Sequence, residues 1–382
     1  MNDWFDIAII GSGPAGSSAA LALKNSKARI ALFDKNTFPR EKICGDGLCD
    51  RSINVLRTID ENYFNEFIQE LTPLPIHKTD LVYKGRHHTL SFKNFGYTCK
   101  RSDFDAFLHN KVTRDCTHIH ICNNTPIVSA QKQNNGIILH DKQGNTYKAK
   151  MVIVANGAKS TIAQSLHKSL WNKSENGVAV RAYFENVADL SLNTIELHYK
   201  KEFFPGYFWV FPMPNNIANV GFGCNITNKN LQEEAIKDIF HAWILKDPIL
   251  KKRFTHAHMC SSLKGGLIPY NTNNFACAGD SYMITGDAAS LIDPISGGGI
   301  GSAMLSGYFA AQVAEKSFTT QTYSYELTQE YESLLQNRIS KEIKTRNTIQ
   351  KGISKFPFGL DVLAAMAKQS NVLQKVSNWY LS

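Results

Sequence analysis

The chain has 382 residues, enough for two or three packed units, and its 43% hydrophobic and 20% charged residues exclude a disordered chain. Its net charge is +9, but the 42 lysines and arginines are scattered without a basic block, so the charge is read as serving an anionic cofactor, substrate or lipid and not nucleic acid. No apolar run reaches the ~18 residues of a membrane-spanning helix. The start, MNDWFDIAIIGSGPAG, lacks a basic leader, and the eight cysteines form no CxxC pair, so reduced thiols in a cytoplasmic protein are expected.

In chain order, residues 5–10 (FDIAII) read as a strand buried on both faces, because the run is short and nearly all apolar. Gly11-Ser12-Gly13-Pro14-Ala15-Gly16 follows at once, then an alanine-rich helix to about Leu23 and a second strand, Arg29–Phe33, ending at Asp34. This is the setting a dinucleotide requires. Gly11 permits the tight turn, Gly13 lets a pyrophosphate approach the backbone, Gly16 lets the helix close on the sheet, and Asp34 accepts from ribose hydroxyls. Lys84-Gly85 predicts a hairpin, and the neighbouring His87-His88 gets no role. Thr117–Cys122 spaces two histidines and a cysteine along one strand face, read as an exposed edge and not a metal site. Ile127–Ala130, Gly136–His140 and Tyr147–Val154 form a meander that leaves through Ala155-Asn156-Gly157.

Strands over Val178–Phe184, Thr194–Tyr199 and Ile217–Gly223 predict an antiparallel sheet that includes the segment Pro205–Pro212. Alternation there sends Tyr207, Trp209 and Phe211 to one face, as in an aromatic core strand or a wall for an apolar ligand. Residues 286–301, GDAASLIDPISGGGIG, precede a helix over Ser302–Ala314. Leu327, Tyr331, Leu335, Ile339 and Ile343 then recur every four residues, as on a helix. The tail from Phe356 to Leu381 is read as core packing, with capping of a lipid tunnel or contact with a membrane surface as its sharper use.

The glycine fingerprint, Arg101-Ser102-Asp103-Phe104-Asp105 and residues 286–301 together resemble the FAD-dependent family of aromatic hydroxylases, flavin halogenases and geranylgeranyl reductases. The likeness spans about residues 7 to 310. It implies an α/β fold: a Rossmann-type FAD-binding domain (1–75, 97–165 and 270–325) carrying the meander, an α+β substrate domain on an antiparallel sheet (76–96 and 166–269), and a C-terminal helical region (326–382). It also implies the cofactor's surroundings. Gly11, Gly13, Pro14, Ala15, Gly16, Asp34, Lys35, Arg40, Arg101 and Gly157 belong to them, and Gly286-Asp287 places its carboxylate on the ribityl chain. Pro294, Gly297, Gly298 and Gly299 run past the isoalloxazine, where N–H groups opening a helix at Gly299-Ile300 stabilise negative charge on the reduced ring.

Two segments resemble the geranylgeranyl reductase branch in particular. Phe38 to Gly47 is similar to its K-x-C-G-[DG]-G segment beside the flavin, and Pro205-Gly206-Tyr207-Phe208-Trp209-Val210-Phe211-Pro212 to its P-x-x-Y-x-W-x-F-P signature. The resemblance implies FAD-dependent reduction of C=C bonds in an isoprenoid or similar apolar substrate, with an anionic head group as an option. Cys44 is the candidate proton donor, Cys44 and Gly45 lie beside the cofactor, and Gly47, Tyr207, Trp209 and Phe211 meet the substrate. Asn156 stands where hydroxylase-type relatives carry Asp, and a second GxGxxG is absent. The electron donor is therefore open between NAD(P)H and a reduced protein carrier. Monooxygenation of an aromatic, quinone or lipid is the alternative activity, and a non-catalytic flavin sensor the lesser one.

Overall fold

In the computed structural model, residues 4–167, 176–225, 233–270 and 276–355 are described; the tail from Phe356 lies outside the described residues. Two sheets organise them. The first centres on the strand Trp4–Ile10, paired in parallel with Ile30–Phe33 on one side and Thr146–Val154 on the other. Ile119–Cys122 forms one edge, Tyr282–Ile284 and Ala278–Gly279 extend the other, and the meander Ile127–Gln133 and Gly136–Asp141 hangs from Thr146–Val154. Ile7, Ile9, Ile30, Val152 and Ile153 are sealed on both faces, which is why their strands read as unbroken apolar runs.

The helix Pro14–Ala22 packs tightly against Ile300–Thr320. Its approach to the sheet depends on two glycines. Gly11 has φ +101°, and a Cβ on Gly16 would lie 1.7 Å from the Gly11 carbonyl oxygen.

The second sheet has nine strands. From one edge they run His258–Met259, Asn176–Glu185, Ile217–Asn225, Tyr207–Met213, Thr194–Tyr199, Leu74–Tyr83, Arg86–Thr98 and Gly47–Leu48, with Lys264–Pro269 also on Asn176–Glu185. Two features differ from the sequence reading. The sheet is mixed, because Thr194–Tyr199 pairs in parallel with Leu74–Tyr83. Gly47–Leu48 and Tyr97–Thr98, both inside segments assigned to the cofactor domain, pair with each other at the edge of this second sheet. Single-sequence alternation carries neither strand direction nor a two-residue pairing.

Period-2 alternation sorts the second sheet's faces. Val180, Ala182, Phe184, Phe208, Val210, Val220 and Phe222 pack with Phe240 and Trp243 of the helix Glu233–Lys246 as one core. Ala179, Arg181, Tyr207, Trp209 and Phe211 take the opposite face, toward the first sheet.

The C-terminal helices do not stand apart. Tyr331, Leu335, Ile339 and Ile343 enter the core of the first sheet. A spacing of four drifts around an α-helix of 3.6 residues per turn, and the wider π turn at Gln336–Ser340 helps take up that drift. From Lys341–Lys355, Arg346 pairs with the buried Asp293 and Gln350 donates to the Pro294 carbonyl (2.9 Å), backing the loop at 293–299.

Candidate active site

A cavity of about 840 Å³ lies between the sheets. At one end are Gly11, Gly13, Pro14 and Ala15 of the glycine turn, with Asp34, Lys35, Arg40 and Gly157 around them. Asp287 and Gly297-Gly298-Gly299-Ile300 form the middle, together with Cys44, Gly45 and Arg101. Gly47, Tyr207, Trp209 and Phe211, with Ile268, form the far end. Gly16, Gly286 and Pro294 are not on the wall. Gly16 closes the turn, Gly286 abuts Ala15 and Ala303, and Pro294 faces Gln350 behind the loop.

The glycine-turn end fits a dinucleotide. Asp34 holds its carboxylate at the end of its strand by accepting from the Ser12 N–H (2.7 Å) and the Asn36 N–H (2.8 Å). Each oxygen keeps a lone pair for a hydroxyl donor. Gly13 leaves a gap at the helix N-terminus, where a Cβ on this residue would meet only Arg40 Nη2, at 3.2 Å. A cation beside a helix N-terminus in a side-chain-free gap is a place for a pyrophosphate. Asp105 fixes that cation, receiving Arg40 Nη2 at 3.1 Å. It also receives Arg101 as a two-pronged pair at 2.7 and 2.8 Å.

Asp287 faces the middle of the cavity and pairs with Lys42 (3.7 Å). Gly299 caps the helix Ile300–Thr320, so that helix's first N–H groups open on the same region. The Tyr207 hydroxyl donates to the Ser296 carbonyl, joining the aromatic strand to the glycine loop.

Cys44 stands between the two ends. Arg101 and Asp46 are the charged groups that act most strongly on its thiol. Burial pushes the thiol's pKa up, with Asp46 adding to the rise and Arg101 opposing it. Burial works against the charge on Arg101, but the Asp105 carboxylate outweighs it and holds Arg101 protonated. The thiol therefore stays protonated at neutral pH, beside a fixed cation.

The aromatic wall has its own support. Trp209 Nε1 donates to Asn219 Oδ1 (2.9 Å), and its ring lies across Gly221, where a Cβ would sit 2.1 Å from Trp209 Cζ2. Only glycine lets the indole lie flat there. Gly45 approaches Phe211 and Trp209, so the Cys44 loop rests on the aromatic strand.

Sequence reasoning missed Tyr183, Arg181 and Asn219, and it held Lys42 and Asp46 only as motif positions without a role. The available signals were a polar residue inside an otherwise apolar strand, at Asn219 and Arg181, and an acid between two glycines, at Asp46. Among the described residues no helix is long and apolar enough to cross a membrane, and no cluster of His, Cys, Asp or Glu could hold a metal ion.

Comparison with known proteins agrees with this architecture. Residues 5–197 match the pyridine nucleotide-disulphide oxidoreductase family, and residues 177–263 the geranylgeranyl reductase catalytic domain. The chain is 31% identical to digeranylgeranylglycerophospholipid reductase 1 of Methanosphaera stadtmanae, covering 85% of this chain and 79% of that one. It is 25% identical to the menaquinone reductase of Mycolicibacterium smegmatis, covering 82% and 77%. A geranylgeranyl bacteriochlorophyll reductase-like protein of Thermoplasma acidophilum superposes with a TM-score of 0.85 at 24% identity, covering 97% and 95%.

Proposed function

Because the chain belongs to the geranylgeranyl reductase family of FAD-dependent oxidoreductases, we propose that it reduces C=C bonds in the polyprenyl chain of a lipid. One observation carries this reading: a single cavity joins the glycine turn to the Tyr207–Trp209–Phe211 wall, with a protonated thiol between them. Menaquinone and digeranylgeranylglycerophospholipid, after which relatives are named, share a polyprenyl chain and differ in head group. The aromatic wall is suited to the shared part.

Reduced FAD, when bound, supplies a hydride to one alkene carbon. The other carbon then needs a proton, and the Cys44 thiol is the group placed to give it. As the thiol gives up that proton, the Arg101 guanidinium and the Asp46 N–H stabilise the thiolate left behind. Asp105 prevents Arg101 from swinging away. Gly11, Gly13, Arg40 and Asp34 would hold the dinucleotide, and Asp287 with the Gly297–Ile300 segment would hold its redox end.

Incubating the anaerobically reduced enzyme with geranylgeranyl lipids and with menaquinone, followed by mass spectrometry, tests the reading. The expected product has gained two hydrogens per reduced bond. A product that appears only in air and has gained one oxygen would replace reduction with monooxygenation.

The wall makes a separate prediction. Trp209→Ala should raise KM by about 5- to 150-fold, equivalent to about 1–3 kcal/mol of lost apolar contact, with kcat changed less. The increase should grow with chain length. Steady-state kinetics on a series of polyprenyl substrates checks it, and a KM that ignores both the substitution and chain length would remove Trp209 from the wall.

A further inference from the structure

Asp46 is fully buried at φ +63°, and its carboxylate is where four separate segments meet. Its Oδ2 accepts from the Tyr183 hydroxyl (2.5 Å) and from Asn219 Nδ2 (2.8 Å), and its Oδ1 from the Arg101 N–H (3.2 Å). Asn219 Nδ2 also reaches the Cys44 carbonyl (2.9 Å), while Asn219 Oδ1 holds the Trp209 indole. Arg181, 1% exposed, stacks over the Tyr183 ring at 4.2 Å and contributes a charge facing Asp46. Neither Arg181 Nε nor Nη1 has a hydrogen-bond partner.

We propose that Asp46 is the positioning residue of the site, whose carboxylate fixes the Cys44 thiol and the Trp209 ring in one frame and sets the electrostatic field at the thiol. The carboxylate is expensive to bury, and its neighbours show what offsets that cost. Every donor to it comes from an element that carries or supports a site residue: α-helix Arg101–Asp115, the Arg181–Tyr183 strand and the Asn219 strand. Burial lifts the Asp46 carboxyl above its ordinary pKa, and Tyr183, Arg181 and Asn219 oppose that rise without cancelling it. The charged and titratable groups facing Cys44 are Asp46 in its own loop, Arg101 with its partner Asp105, Tyr183 on one strand, and Tyr207 on another, while Arg181 faces Asp46 and Tyr183. Of these, Asp46 is the one whose negative charge directly raises the proton affinity of the thiol.

The inference rests on the role given to Cys44 above, so its test includes a readout independent of turnover. In FAD-loaded enzyme, the rate of iodoacetamide alkylation at Cys44, followed by peptide mass spectrometry across pH, reports the thiol's proton affinity. Asp46→Asn keeps the left-handed backbone, which asparagine tolerates, and keeps the side-chain volume, while removing the acceptor-only carboxylate. Its alkylation midpoint should move to lower pH by at least half a unit, and kcat should fall about tenfold or more with FAD content retained. Asp46→Glu, with the charge restored on a longer arm, should return the midpoint toward wild type. An unshifted midpoint in folded, FAD-loaded Asp46→Asn would overturn the proposal, whatever Cys44→Ala does to turnover. Wild-type kcat in Cys44→Ala with a shifted midpoint would instead retain Asp46 and remove Cys44 as the proton donor.

Discussion

Gly13→Val should give folded, colourless protein, with FAD affinity reduced about 100-fold or more. Gly13 has φ −75° and ψ −172°, a conformation open to any residue. Space, not backbone strain, is therefore what the position requires. A side chain there would meet only Arg40, at 3.2 Å from its first carbon. The chain can fold around valine, but the branched methyls would fill the gap at the helix N-terminus where a pyrophosphate approaches. Losing those backbone contacts and separating the phosphates from Arg40 costs about 3 kcal/mol, the equivalent of a hundredfold in affinity. Gly16→Val would be uninformative by comparison, because its Cβ collides with the Gly11 carbonyl and destroys the turn. Fluorescence titration of FAD into apo protein, with circular dichroism as the folding control, checks the prediction. Wild-type affinity in Gly13→Val would place the pyrophosphate elsewhere.

The second large effect concerns the thiol. Cys44→Ala should lower kcat by about 100- to 10,000-fold, the span general acids contribute, with KM little changed and reduction of the cofactor by its donor unaffected. The direction of the pH dependence follows from the raised pKa. The acid form is the active one, so wild-type kcat should be flat through neutral pH and decline only as alkaline pH deprotonates the thiol. In Cys44→Ala that alkaline decline should vanish along with most of the rate. Rapid-mixing measurement of the reoxidation of reduced enzyme by substrate isolates the step, and a wild-type rate constant would leave Cys44 as packing in its loop.

The fold was legible in the sequence where spacing and local chemistry act alone. FDIAII followed by Gly11 to Gly16 and the strand ending at Asp34 specifies a parallel sheet with a helix on it, because each piece is fixed by its own residues. The alternation of Tyr207, Trp209 and Phe211 likewise puts them on one face, and they line the cavity. What the sequence did not reveal depends on partners distant in the chain. Asp46 gains its place from Tyr183 and Asn219, which lie 137 and 173 residues further on. No local pattern links them. The parallel pairing of Thr194–Tyr199 and the stitching of Gly47–Leu48 onto the substrate sheet are nonlocal in the same sense. Arg181 is harder still, since an arginine in a strand is ordinarily read as its solvated face, and here it is the largest fully buried side chain among the described residues.

The hold of the C-terminal helix on residues 293 and 294 reaches beyond packing. Arg346 and Gln350 grip the back of the loop whose front, Gly297 to Ile300, faces the cavity. Glu342 ties Arg346 in turn to Arg51, on the helix that follows the Cys44 loop. The last described helix thus works as a keystone, bracing the cofactor-facing loop and the flank of the thiol-bearing loop from one point outside the cavity. A ribosome making this chain has produced every described cavity-lining residue before it reaches Arg346, so this brace is the last part of the site's support to be made. Substitutions at Glu342, Arg346 or Gln350 should therefore be felt in a pocket that these residues do not line.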